Sequence, residues 1–218
     1  MSDKAALRRQ LQERARELVP VLRERSAECE RLRQVPRETI ADFNKAGFFR
    51  ILQPARWGGY ELDPQDFYDV QITVAEGCMS SAWVLGVVAI HNWQLALFDD
   101  RAAQDVWGED SSVLISSSYM PVGRVEWVDD ETLKLSGTWG FSSGCDHCEW
   151  VFLGAVVPPR PGSAAGGPPD MRTFLVPRKD YTIVDDWHVM GLKGTGSKTI
   201  EVKDAIVPVY RTHKAVDG

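Results

Sequence analysis

Ser136-Gly137-Thr138-Trp139-Gly140-Phe141-Ser142-Ser143-Gly144-Cys145-Asp146-His147-Cys148 is the stretch that decides the reading of this chain. It follows a strand pattern, Thr132-Leu133-Lys134-Leu135, and precedes an apolar one, Trp150-Val151-Phe152-Leu153. Hydroxyls, glycines and two aromatic residues are crowded between two strands. Small hydroxyls beside aromatic rings suit a planar, hydrogen-bonding ligand better than they suit a packed core.

Working outward, residues 112–119, 124–128, 150–157, 173–176, 181–184 and 198–207 also read as strands, rich in β-branched and aromatic side chains. Asp129-Asp130-Glu131 predicts a hairpin turn, and 158–170 a surface loop too poor in apolar groups to pack. Upstream of residue 111 the period is helical. Leu7, Leu11, Ala15, Leu18 and Leu22 predict a long amphipathic helix over 4–33, with Pro20 a candidate kink. Pro36 opens a second helix that stops near Gly47. Asp63-Pro64 caps a third, running to about Cys78, and a fourth apolar one runs from Ser80 or Ser81 to Phe98. A short helix follows over 101–107. Helices followed by strands predict an α+β chain: an all-helical domain over 1–110, then an antiparallel β-barrel or sandwich over 111–218.

The chain has 218 residues with 25 basic and 31 acidic side chains, a net charge of −6. The arginines near its start alternate with glutamates, which makes a solvated helix face and argues against nucleic acid as a partner. The longest apolar stretch, 82–98, carries His91, Asn92 and Gln94, so it reads as a buried helix and not a membrane span. Four cysteines and a charged, helical start predict a cytoplasmic protein with reduced thiols.

Cys145-Asp146-His147-Cys148 has the spacing of a metal knuckle or a redox pair, but lacks the second ligand pair of the first and the strand-to-helix context of the second. A buried turn with no metal is the plainer reading. Gly191-Leu192-Lys193-Gly194-Thr195-Gly196-Ser197-Lys198 is similar to a phosphate loop, yet Ser197 stands where the lysine belongs and a strand follows. It is a glycine turn whose N–H groups are free to meet an anion. His91 is either a core histidine or a functional one, and Trp83, about 80° away around the helix, either shares its pocket or packs. In Ser116-Ser117-Ser118-Tyr119 alternation puts Ser117 on the face opposite Ser116 and Ser118. No nucleophilic triad and no carboxylate pair stands out.

The helical-then-β order, with Gly58-Gly59 after the second helix and the 191–197 turn running into Val202-Lys203-Asp204-Ala205-Ile206-Val207-Pro208, resembles the acyl-CoA dehydrogenase fold. Trp139-Gly140-Phe141-Ser142-Ser143-Gly144, Ser81-Ala82-Trp83 with His91-Asn92-Trp93, and Ile115 to Tyr119 resemble its flavin-dependent monooxygenase branch. That branch holds the oxygenase components of two-component phenol hydroxylases, among them the steroid-degradation enzymes that hydroxylate a phenolic seco-steroid ring. The resemblance implies ortho-hydroxylation of a phenol with O2 and reduced flavin, FMNH2 or FADH2, through a flavin C4a-hydroperoxide. It implies a separate NAD(P)H-dependent flavin reductase and a homotetramer. By position, Ser142 matches the hydroxyl facing flavin N5, and Trp139, Phe141 and Ser143 its surroundings. His91 and Ser117 match the catalytic residues near the phenolic oxygen, and Trp83 a pocket aromatic. Thr195, Gly196 and Ser197 are weaker flavin matches. The family continues into a C-terminal four-helix bundle after the β domain, where this chain stops at Gly218, so the resemblance implies a fragment. The alternatives it leaves are an acyl-CoA dehydrogenase-like FAD oxidoreductase and an inactive flavin-binding fragment.

Overall fold

The computed structural model describes residues 2–162 and 167–215, with side chains from Lys4 onward. Part of the predicted 158–170 loop, residues 163–166, lies outside the described residues. The chain forms two compact units: Met1–Trp93 with Trp187–Gly196, and Gln94–Asp186 with Ser197–Gly218. The expected boundary near residue 110 therefore moves to residue 93, and ten residues of the β half join the helical unit.

The helical unit begins with α1 (Ser2–Leu32), continuous through Pro20. Leu11, Ala15, Leu22 and Cys29 are its buried stripe. α2 (Arg37–Ala46) starts after Pro36 and ends at Gly47, whose φ of 82° takes the left-handed cap that glycine adopts without strain. α3 (Pro64–Ala75) opens with a capping box between Asp63 and Asp66. Arg8 of α1 pairs with both capping carboxylates, at 3.0 and 2.9 Å, which ties the start of α3 to α1. α4 (Met79–Gln94) buries Ala82, Val84, Leu85, Val88, Ala89, His91 and Asn92. Its other face is not enclosed: Trp83 and Trp93 are about half exposed.

The second unit starts with α5 (Asp100–Trp107), capped by the Asp99 carboxylate, which accepts from Arg101 N–H. Among the described residues its strands are β1 (Ile115–Trp127), β2 (Thr132–Ser142), β3 (Trp150–Val157), β4 (Asp170–Pro177), β5 (Tyr181–Val184), β6 (Lys198–Pro208) and β7 (Thr212–Lys214). They form one sheet in the order β5-β6-β2-β1-β3-β4-β7. All pairs are antiparallel except β1–β3, which runs parallel, so the sheet is mixed where an antiparallel one was expected. The two predicted strands at 112–119 and 124–128 are one strand. Its register shifts between Ser118 and Gly123, its first part pairing with β3 and its last with β2. The core holds Leu133, Leu135, Trp139, Val151, Leu153, Phe174, Val176, Ile200 and Val207. α5 belongs here because Phe98 stacks on Phe152 at 5.1 Å and Asp105 accepts from Tyr210 Oη and Arg211 Nε.

Candidate active site

The site is assembled where β2 ends. Phe141 has φ of 65°, a conformation that costs a bulky aromatic residue free energy and persists only where its surroundings impose it. Its carbonyl accepts from Ser143 N–H at 3.0 Å, and Gly144 follows with φ of 71°. This tight turn exposes the Phe141 ring and draws the next two hydroxyls inward. Ser143 Oγ and Ser197 Oγ lie 2.7 Å apart in a buried setting. Ser142 pairs in register with Lys198. Lys198 Nζ, 7% exposed as a residue, contacts Asp146 at 2.9 Å and Asp185 at 3.6 Å. Two sequence motifs, the Phe141–Gly144 turn and the end of the glycine turn, thus meet side by side and are fastened by an ion pair of low exposure.

Ser142 itself is fully buried, and its Oγ has no hydrogen-bond partner among the described residues. A buried hydroxyl left unpaired costs about 1–3 kcal/mol. Such an atom beside a strained aromatic turn fits a group that brings its own donor or acceptor, as the polar edge of a flavin ring does.

Trp139, also expected at the cofactor, is a core side chain. Its Nε1 donates to Met120 O at 3.1 Å and Gly154 O at 2.9 Å, and the absent Cβ atoms of Gly123 and Gly137 make room for its ring. It holds up the turn from behind.

On β1, Ser116 and Ser118 point inward, and Ser118 Oγ donates to Gly140 O at 2.7 Å. Ser117 lies on the other face with Tyr119, and its hydroxyl works against the rise that burial gives the Tyr119 hydroxyl. The Tyr119 hydroxyl donates to Gln94 Oε1. Sequence reasoning did not single out Gln94 or Tyr119 individually. The only signal was their period-two spacing from Ser117 and the polar end of an apolar helix.

In the helical unit His91 is 1% exposed, on the same face of α4 as Val84 and Val88. Trp83 lines a groove of about 220 Å³ with Phe67, Tyr68, Gln71, Gly86, Val87 and Ile90. His91 is not among those residues, so the two candidates that might have shared a pocket occupy different faces. Thr195 is buried and its Oγ1 donates to Leu192 O at 2.9 Å; Leu192 and Gly196 both have positive φ, at 54° and 53°. The glycine turn is therefore a compact 3-10 turn and not a phosphate loop.

Cys145 and Cys148 are buried. Burial pushes the Cys145 thiol up to about 12, with Asp146 adding to it, and holds Cys148 well above the ordinary thiol range. Cys148 Sγ donates to Gly144 O at 3.4 Å. Both are neutral thiols that brace the turn. Among the described residues no group of three or more His, Cys, Asp or Glu side chains is arranged to hold a metal, and no helix is long and apolar enough to cross a membrane.

Residues 3–107 match the acyl-CoA dehydrogenase N-terminal domain family. The chain is 47% identical over 194 residues to the oxygenase subunit HsaA, a flavin-dependent monooxygenase of Rhodococcus jostii (strain RHA1), covering 89% of this chain and 49% of that protein. The crystal structure of the HsaA monooxygenase from M. tuberculosis superposes with a TM-score of 0.89 at 43% identity, over 95% of this chain and 55% of that one. XiaF from Streptomyces sp., solved in complex with FADH2 and glycerol, gives 0.88 at 28% identity, over 98% and 53%. The chain spans about half the length of the curated relatives it matches.

Proposed function

Taking the chain as a homologue of the oxygenase subunits of flavin-dependent monooxygenases, with an acyl-CoA dehydrogenase-like fold, we propose that it supplies the flavin-facing and phenol-facing residues of a two-component aromatic hydroxylase. The observation that carries this is the unpaired, buried Ser142 hydroxyl at the strained end of β2.

Bound reduced flavin supplies the activation of O2. Ser142 orients the flavin edge, since its Oγ has no hydrogen-bond partner among the described residues. Ser143 and Ser197, locked to each other, keep that hydroxyl in place, and the exposed Phe141 ring offers an apolar surface beside it. Thr195 and Gly196 shape the neighbouring glycine turn. Ser117 and His91 are each assigned to the phenolic proton, the first as a hydrogen-bonding hydroxyl and the second as a base. A phenolate is the better carbon nucleophile, so helping that proton leave speeds ring attack. Trp83, whose groove does not include His91, is assigned only to an apolar part of a polycyclic substrate away from the phenolic oxygen. A phenolic, steroid-like substrate, a separate flavin reductase and a homotetrameric assembly complete the reading.

The test is anaerobic titration of the protein with reduced FMN and reduced FAD, followed by addition of O2 and a panel of phenols. Binding of reduced over oxidised flavin, with one oxygen atom added to a phenol, is the expected outcome. A protein that instead retains oxidised FAD and bleaches with an acyl-CoA thioester would make it an oxidoreductase of the dehydrogenase type.

A further inference from the structure

Two buried thiols stand apart from the site just described. The loop between α3 and α4 lies directly on α1. A Cβ on Gly77 would stand 2.8 Å from Leu22 Cβ and Val19 O, and Ser80 Oγ donates to Glu30 Oε1 at 3.1 Å. Cys78 sits between those two contacts, over the part of α1 that carries Cys29, and each thiol perturbs the ionisation of the other. Cys78 is also the N-cap of α4: its carbonyl accepts from Ala82 N–H, and the N–H groups of Ser80 and Ser81 approach its sulfur. The Cys29 S–H donates to Gly194 O at 3.7 Å. A Cβ on Gly194 would lie 2.2 Å from Cys29 Sγ, so the glycine turn rests on that sulfur.

We propose that Cys29 and Cys78 are a peroxide-oxidisable dithiol whose disulfide loosens the Leu192–Gly196 turn, which then keeps the Gly194 N–H bond to Glu30 of α1 but not the Cys29 one. A helix N-terminus and a neighbouring donor favour a thiolate. Cys29 beside it, with the Ser81 and Ser80 donors, lowers the Cys78 thiol below the ordinary range, while Cys29 is raised by Cys78 and by burial. Cys78 is thus the nucleophile and Cys29 the resolving thiol. The Cys78 thiolate attacks one oxygen of hydrogen peroxide, the O–O bond breaks, and hydroxide leaves, so the sulfur becomes a sulfenic acid as the peroxide is reduced. Cys29 then attacks that sulfur; its proton and the departing hydroxide form water. Two thiols and one peroxide give one disulfide and two waters. Oxidised, Cys29 has no proton for Gly194 O, and the turn loses that anchor. The proposal stands without the flavin reading, because peroxide from any source serves.

The experiment exposes the native protein to hydrogen peroxide, blocks remaining thiols, and maps peptides by mass. Expected is a Cys29–Cys78 crosslink with Cys145 and Cys148 still reduced, forming faster at higher pH, together with faster amide exchange at Gly194 and Thr195. Cys29→Ser should leave a sulfenic acid on Cys78 that dimedone traps, and Cys78→Ser should leave Cys29 unoxidised. If either variant fails to fold, the map of the unsubstituted protein decides alone. Four thiols unchanged while the urea-unfolded chain oxidises, a Cys145–Cys148 crosslink alone, or over-oxidised Cys78 without a crosslink would each overturn the dithiol. A crosslink with unchanged exchange at Gly194 would overturn the loosening of the turn.

Discussion

Ser143 Oγ and Ser197 Oγ stand 2.7 Å apart, joining residues separated by 54 positions in sequence. Each was a candidate on its own motif. Their contact turns two motifs into one feature and explains why a hydroxyl is needed at both places. With Lys198 held by Asp146 and Ser142 in register with Lys198, the start of β6 acts as a splint for the turn that ends β2.

Breaking the serine pair should expose that coupling. Ser143→Ala removes a partner from a buried hydroxyl, as does Ser197→Ala, and each should cost about 1–3 kcal/mol in urea unfolding. The double variant should cost clearly less than the sum, since it leaves no buried hydroxyl behind. Simple additivity would mean that the two hydroxyls do not support each other.

Ser142→Ala should behave in the opposite way. Its hydroxyl has no partner to lose among the described residues, so the substitution should leave unfolding stability unchanged or raise it by up to about 1–3 kcal/mol. Affinity for reduced flavin should fall roughly tenfold or more, the worth of one hydrogen bond. Anaerobic fluorescence titration set beside thermal unfolding separates the two readouts. Lost stability with intact flavin affinity would assign Ser142 to the fold alone.

The helices were largely legible because their signals are local. Pro36, Gly47 and the Asp63-Pro64 cap mark ends that the structure places within a few residues. The strands were less so. Ser136-Gly137-Thr138-Trp139-Gly140 reads as a turn, yet β2 continues to Ser142, because Gly137 gives the Trp139 ring a place in the core. Long-range pairing decided that, as it decided the parallel β1–β3 register. The short β7 exists only by pairing with β4. Residues 187–196 side with the helices because Arg33 donates to Trp187 O and Glu30 accepts from Gly194 N–H, contacts that no local pattern announces. At the candidate site, motif resemblance singled out Ser142, Ser143 and Ser197, but not the contact between Ser143 and Ser197. The separation of Trp83 from His91 was not, because 80° on a helix is compatible with one pocket or two faces.

Gly137→Ala tests the core role given to Trp139. An alanine in a strand gains about 0.5–1 kcal/mol over glycine from lost chain freedom. Here its Cβ would lie 2.7 Å from the indole, and overpacking costs about 1–3 kcal/mol, so net destabilisation should result. In a Trp139→Phe background the smaller ring should relieve much of that clash. An equal penalty in both backgrounds would show that the indole is not the obstacle.

The buried thiols predict an alkaline limit to stability. Cys145 is fully buried, and burial first, then Asp146, pushes its thiol from the usual value near 9 up to about 12. An acid whose folded pKa lies above its unfolded one keeps its full contribution below the unfolded value. Between about 9 and about 12 the unfolded chain releases the proton and the folded one retains it, so stability falls as pH rises. Cys148 and Tyr181, also raised mainly by burial, add to the slope. Urea midpoints measured from pH 8 upward should therefore be flat at first and then decline. Cys145→Ala removes one titrating group and should make that decline shallower, while costing some packing at every pH. A decline of equal steepness in the variant would mean that the Cys145 thiol does not resist ionisation in the folded protein, and that the turn before it is open to water.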